Sequence, residues 1–72
     1  MNSGIVQDHL AQCERHVLQG EQHVARQRQI VAELDAEGHD ATYARALLRQ
    51  FQIMLALRVA ERDRLRREVD VL

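Results

Sequence analysis

Three histidines and one cysteine in the N-terminal half are the residues of this sequence best suited to chemistry. Cys13 stands between His9 and His16 in the pattern H-x-x-x-C-x-x-H. Residues three or four apart share one face of an α-helix. The three side chains could therefore offer two nitrogens and a sulfur to zinc or another transition metal. A fourth ligand would come from a second chain or from water.

The histidines also form a ladder, in which His9, His16 and His23 stand seven residues apart. Seven residues of α-helix rise about 10.5 Å, so neighbouring ladder histidines of one helix cannot bind the same ion. A pH-sensitive cluster is a second reading, because histidine titrates near neutrality. The third reading, which we favour, is that the histidines flank an apolar seam with their polar edges in water. We therefore predict no metal and no cofactor.

Sequence motifs for catalysis are missing. The chain has no glycine-rich phosphate loop, no nucleophile elbow and no H-E-x-x-H zinc motif. The E-x-x-H motif of di-iron bundles is also absent, because Glu14 and His16 are only two residues apart. The sequence therefore predicts a protein that is not an enzyme.

The elements that carry these residues are predicted to be two long helices. The composition is rich in Ala, Leu, Arg, Gln and Glu and contains no proline, which is typical of long helices. The one strong break is EGHD, where Gly38 suits the left-handed end of a helix and Asp40 suits the N-cap of the next. We predict one domain over residues 1–72, with helices at about 4–37 and 41–71 and a turn at 38–40. So short a turn makes the helices antiparallel.

Both predicted helices repeat mostly apolar residues at alternating spacings of four and three, the pattern of a coiled-coil seam. Pairing the repeats about the turn places Gly20 opposite Arg58, where a missing side chain would make room for a long one. The same pairing makes Glu14 and Glu21 partners for Arg58 and Arg62. The repeats are Val6, Leu10, Cys13, Val17, Gly20, Val24, Gln27, Val31 and Leu34, and then Ala44, Leu48, Phe51, Leu55, Arg58, Arg62, Leu65, Val69 and Leu72.

The second helix has more apolar residues than one seam can bury. Leu47, Met54 and Leu57 fall on a face beside the seam, with Ile53 near them. An exposed apolar patch of this kind usually marks an interface. The predicted fold is therefore an all-α, coiled-coil-like two-helix hairpin that forms a homodimer, a four-helix bundle with two-fold symmetry.

The arginine-rich run RDRLRRE at residues 62–68 suggests RNA binding as an alternative. A hairpin dimer resembles the Rop family of plasmid copy-number proteins, which bind paired RNA loops. However, ten Arg stand against eleven Asp and Glu in the whole chain, so the basic excess of a nucleic-acid binder is missing. Acidic residues also alternate with the arginines at helical contact spacing, which predicts the pairs Asp63–Arg67, Arg64–Glu68 and Arg66–Asp70.

Cysteine content and hydropathy predict a cytoplasmic protein that does not bind membranes. A single cysteine excludes an internal disulfide, and the N-terminus does not resemble a signal peptide. No apolar run approaches the roughly 18 residues needed to span a bilayer.

Two stretches, GEQHVARQRQIVAELDAEGHD and LLRQFQIMLALRVAERDRLRREV, resemble a group of short bacterial helical-hairpin proteins with no known activity. The shared features are a G-E-x-H-x-x-x-Q core, a G-H-D turn and an R-D-R-L ending. In that group a histidine often stands near the position of Arg58. The resemblance implies a small cytosolic hairpin and no activity, cofactor or site.

The sequence thus predicts a small cytosolic hairpin that acts by self-association and protein–protein interaction, without catalysis. The alternative is a helical bundle that binds metal or senses its surroundings through His9, Cys13 and His16. An RNA-binding hairpin of the Rop kind ranks third. The residues do not identify the protein partner.

Overall fold

A computed structural model describes residues 3–71 as two antiparallel helices joined by a short turn, which is an all-α helical hairpin. Helix α1 is Ser3–Ala36 and helix α2 is Thr42–Val71. Each helix begins and ends within one residue of its predicted bounds. The hairpin is 56 Å long and 14 by 13 Å across.

Gly38 ends α1 as the sequence predicted. Its φ of 73° lies in the left-handed region, which costs glycine little because it has no Cβ. The amides of Gly38 and His39 donate to the carbonyls of Asp35 and Leu34, at 3.2 and 2.9 Å. These two hydrogen bonds form a Schellman motif, which satisfies carbonyls that the end of the helix leaves free.

Asp40 was predicted to be the N-cap of α2, but it lies one residue before the N-cap and supports the start of the helix from there. Its Oδ1 accepts hydrogen bonds from the amide and the hydroxyl of Thr42, at 3.0 and 2.7 Å. The bonds from Thr42, with a smaller contribution from the charge of Arg45, hold the pKa of Asp40 below its ordinary value. The buried Ala41 occupies the N-cap position itself, because its carbonyl accepts the first helical hydrogen bond, from Arg45.

Replacing Gly38 with alanine is expected to lower the free energy of unfolding by about 1 kcal/mol, because an L residue is strained at positive φ. No atom lies within 4 Å of the added Cβ, so crowding contributes nothing to the loss. Gly38→Asn should lose less, since asparagine tolerates the left-handed region. Urea unfolding at one protein concentration measures both variants. Equal stability of Gly38→Ala and the wild type would contradict this account of the turn.

The least exposed residues of both helices follow the predicted repeats. Some members of each repeat are buried. The α1 members that are not buried are half-buried, and so are most of the remaining α2 members. Leu72, the last predicted member, lies outside the described residues. The buried members are Cys13, Val17, Val24 and Gln27 in α1, and Ala44 and Leu65 in α2.

The predicted contact between Gly20 and Arg58 is wrong. A Cβ added at Gly20 would lie 3.1 Å from Cδ1 of Leu55 and 3.7 Å from its Cβ. Leu55 therefore fills the space that the glycine leaves. Arg58 is exposed, and the half-buried Val59 takes its place in the repeat. After Leu55 the next seam position can come three or four residues later, and burying an apolar side chain costs less than burying a guanidinium.

Gln27 is the one polar residue that is buried within the described chain. Its Nε2 donates to the carbonyl oxygen of Ala44 at 3.0 Å. The predicted pairing of the two repeats, which places Gly20 opposite Arg58, places Gln27 opposite Phe51, about two turns further along α2 than Ala44. The hydrogen bond explains why a carboxamide is tolerated in an apolar seam, because buried polar groups are stable when they have partners.

The ion pairs differ in part from the predicted ones. The Glu14 carboxylate binds Arg66 at 3.1 Å, whereas Arg62 pairs with its neighbour Asp63 at 3.1 Å. Glu14 and Glu21 therefore do not serve Arg58 and Arg62 as predicted. Of the three pairs predicted along α2, Arg64–Glu68 forms at 2.7 Å, and the other two are not made among residues 3–71.

Candidate interaction surface

One edge of the hairpin is a long groove that brings the histidine ladder and part of the second apolar face together. It consists of two adjoining pockets of about 610 and 240 Å³, which share His16, Met54 and Arg58. We call it the histidine groove and define it by His9, His16 and His23 of α1 and Met54, Leu57 and Arg58 of α2.

The α2 side of the histidine groove is apolar and largely uncovered. Met54 is 49% exposed and Leu57 is 61% exposed, although both belong to residue types that are usually buried. The predicted interface had two further members. Leu47 is half-buried within the hairpin, and Ile53 is exposed but does not line the histidine groove. The groove therefore contains Met54 and Leu57 of the four predicted interface residues.

The α1 side of the groove consists of the histidines and the residues between them. The ring of His23 packs on Phe51, with ring centroids 5.7 Å apart and planes inclined by 37°. His16 lies deeper, and its Nδ1 is buried without a hydrogen-bond partner among the described residues. A proton on this nitrogen would therefore be a buried donor with no acceptor, which is unfavourable.

The two charged α2 residues that line the groove differ in whether they have an ion-pair partner. Arg58 has no carboxylate within ion-pair distance in the described part of the chain. Within residues 3–71, Glu61 is the one carboxylate that lines the groove. Its Oε1 already binds Arg64 at 2.7 Å. Arg58 is therefore the charged group on the α2 side of the groove that has no ion-pair partner among the described residues.

The candidate metal ligands are not assembled into a site. His9, Cys13 and His16 all line the larger pocket, as expected of residues on one helix face. Among residues 3–71, however, no three His, Cys, Asp or Glu side chains are grouped so that they could hold an ion. Cys13 is a buried free thiol in the seam.

The opposite edge of the hairpin has a different character. Leu18 is exposed there, beside a shallow pocket that Glu14, Arg62 and Arg66 line. Both arginines bind carboxylates, Arg62 that of Asp63 and Arg66 that of Glu14. Glu61 and Glu68 bind Arg64 further along α2, and the hydrogen bond and charge of Glu61, with the charge of Glu68, hold its pKa above the ordinary value. Much of the arginine run is thus neutralised within the hairpin.

Comparisons with known proteins gave no match: no family model fits the chain, and no curated protein or solved structure is significantly similar to it. The resemblance to short bacterial hairpins therefore gains no support from them. Neither described helix contains a segment long and apolar enough to cross a membrane.

Sequence reasoning missed that the histidine ladder and the apolar face share one edge, although the pattern contained the signal. His16 and His23 each precede a seam residue of α1, and Met54 precedes the seam residue Leu55 of α2. In an antiparallel pair, the positions that precede the seam residues of both helices lie on the same side. The histidine stripe was predicted from α1 alone and the apolar stripe from α2 alone, so their shared edge was not predicted.

Proposed function

We propose that this protein is a cytoplasmic, non-catalytic helical hairpin that acts by self-association and protein–protein interaction, and that the histidine groove is its contact surface. The observation that carries the proposal is the exposure of Met54 and Leu57 along that groove. Exposed apolar side chains that line one continuous groove favour a partner which covers them.

A second copy of the chain is the partner that we propose. Burying a whole Met or Leu side chain stabilises by about 1.5–3 kcal/mol, and about half of that remains to be gained at Met54 and Leu57. Two-fold symmetry uses each side chain twice. A single 72-residue chain with a narrow seam has little core of its own, so pairing of two hairpins into a four-helix bundle supplies burial that one hairpin lacks.

The electrostatics favour a protein partner over nucleic acid or a membrane surface. The arginines that would contact phosphate include Arg62, Arg64 and Arg66, and each already binds a carboxylate. The net charge of −1 supplies no attraction for a polyanion. Catalysis forms no part of the proposal, because nucleophilic chemistry needs a base in contact with a nucleophile. His16 Nδ1 has no such contact within the described residues.

The mass of the protein in solution tests the proposal. Light scattering at micromolar concentration should give about twice the chain mass of 8.3 kDa, and the value should fall toward one chain on dilution. A soluble, fully helical protein that stays monomeric as its concentration rises to about the millimolar range would refute self-association, since millimolar dissociation corresponds to only about 4 kcal/mol of binding.

A further inference from the structure

We propose that a second copy covers the histidine ladder together with Met54 and Leu57, so that dimerisation requires neutral histidines and mild acid separates the two chains. This inference rests on the proposed self-association and adds to it a regulation by protons. It follows from the shared groove, which the sequence alone had left as two separate stripes.

Covering the apolar residues means covering the histidines. Met54 lines both pockets of the groove, and His16 lines both pockets with it. Leu57 lines the larger pocket, together with His9 and His16. A helix that removes Met54 and Leu57 from water therefore also removes water from the imidazoles beside them. Two-fold symmetry doubles the number of histidines in the covered region.

The groove offers a protonated His16 no free counter-ion among the described residues. The other ionisable groups that line the groove are Arg58 and Glu61 on α2, and on the same helix as His16 they are His9, Cys13 and His23. Arg58 is cationic and lacks an ion-pair partner in the described chain, and Glu61 is already bound to Arg64. Protonation would thus add a second cation and would place an N–H at the buried Nδ1, which has no acceptor among residues 3–71. Both effects grow when a partner excludes water.

The direction of the pH dependence follows from linkage. Histidine in water takes up its proton near pH 6.5. If the dimer excludes that proton, dissociation is unaffected at higher pH and is favoured as the pH falls below this value. Each histidine that must stay neutral weakens the dimer about 10-fold between pH 7.5 and 5.5. The two copies of His16 alone would therefore raise the dissociation constant about 100-fold over that range.

The experiment is sedimentation analysis of the full chain at about pH 7.5 and about pH 5.5, at one ionic strength, with circular dichroism of the same samples. The dissociation constant of the wild-type dimer should be at least about 100-fold larger at pH 5.5 than at pH 7.5, while both samples stay helical. His16→Gln should lose most of this difference, because glutamine is neutral at both values. The triple variant His9→Gln, His16→Gln, His23→Gln should lose all of it.

His39 provides a matched control, because it is an exposed histidine in the turn and does not line the groove. His39→Gln should keep the pH dependence of the wild type. A wild-type dimer whose dissociation constant is equal at both pH values would overturn this inference and leave the proposed self-association standing. A protein that is monomeric at pH 7.5 would overturn both. If the chain at pH 5.5 is monomeric and has also lost its helicity, the dissociation results from unfolding. That outcome would also overturn the inference.

Discussion

Replacing Met54 and Leu57 together by glutamate is expected to convert the dimer to a monomer at micromolar concentration while both helices persist. Each side chain is about half exposed in the single hairpin, so glutamate is tolerated there by the fold. In the dimer the four new carboxylates would be buried without partners, which is strongly unfavourable. We expect the dissociation constant to rise at least about 100-fold, equivalent to about 2.8 kcal/mol. Sedimentation and circular dichroism of the same samples measure it.

Leu18→Glu is the matched control for this double variant. Leu18 has the same 61% exposure as Leu57 but lies on the opposite edge of the hairpin. It should therefore leave the dissociation constant unchanged within a few-fold. If Leu18→Glu separates the chains and the double variant does not, the dimer uses the opposite edge and the histidine groove is free. Leu47 is a poorer test site, because it is half-buried within the hairpin and glutamate there would also disturb the fold.

Replacing Gly20 by leucine is expected to lower the free energy of unfolding by about 1–3 kcal/mol, because it overpacks the seam. Even the first added carbon would lie 3.1 Å from Cδ1 of Leu55, and leucine adds three more carbons. Alanine would gain up to about 1 kcal/mol of helix propensity and would require Leu55 to move by a few tenths of an ångström, so its effect should be much smaller. Thermal or urea unfolding at a fixed protein concentration gives both values, since a dimer links stability to concentration.

Gly4→Leu separates crowding from the general effect of adding a side chain to α1. No atom lies within 4 Å of a Cβ added at Gly4, so this variant should be as stable as the wild type or slightly more so. If Gly20→Leu matched it, the two helices would have to be further apart at Gly20 than the contact with Leu55 indicates.

The fold was largely readable from the sequence because its signals are local and agree with one another. A break at Gly38, a polar residue before the second helix and two seams of the same spacing each predicted the hairpin independently. The same spacing explains which details failed. A repeat with alternating spacings of four and three residues is nearly unchanged when one helix shifts along the other by one turn. It therefore determines which helix faces pack together and does not determine the axial alignment of the two helices. Gly20 therefore meets Leu55 rather than Arg58.

Only part of the candidate surface was predicted from the sequence, because the rest depends on how the two helices are aligned. The surplus of apolar residues on α2 was visible in the sequence, and Met54, Leu57 and Ile53 are indeed exposed. How far Leu47 is covered depends on side chains from the other helix, which a one-helix pattern does not contain. The same holds for the buried nitrogen of His16, because its lack of a partner results from what α2 places next to it.

The hydrogen bond from Gln27 to the carbonyl of Ala44 has a consequence for how the chain avoids misaligned hairpins. A hairpin displaced by one turn would still bury apolar side chains in its seam and would compete with the native one during folding. In a displaced hairpin that brings no carbonyl to the Gln27 amide, this group would be desolvated without an acceptor, at a cost of about 1–3 kcal/mol. One buried amide can therefore make the competing alignment about 5- to 150-fold rarer, even if it adds little to the net stability of the native hairpin.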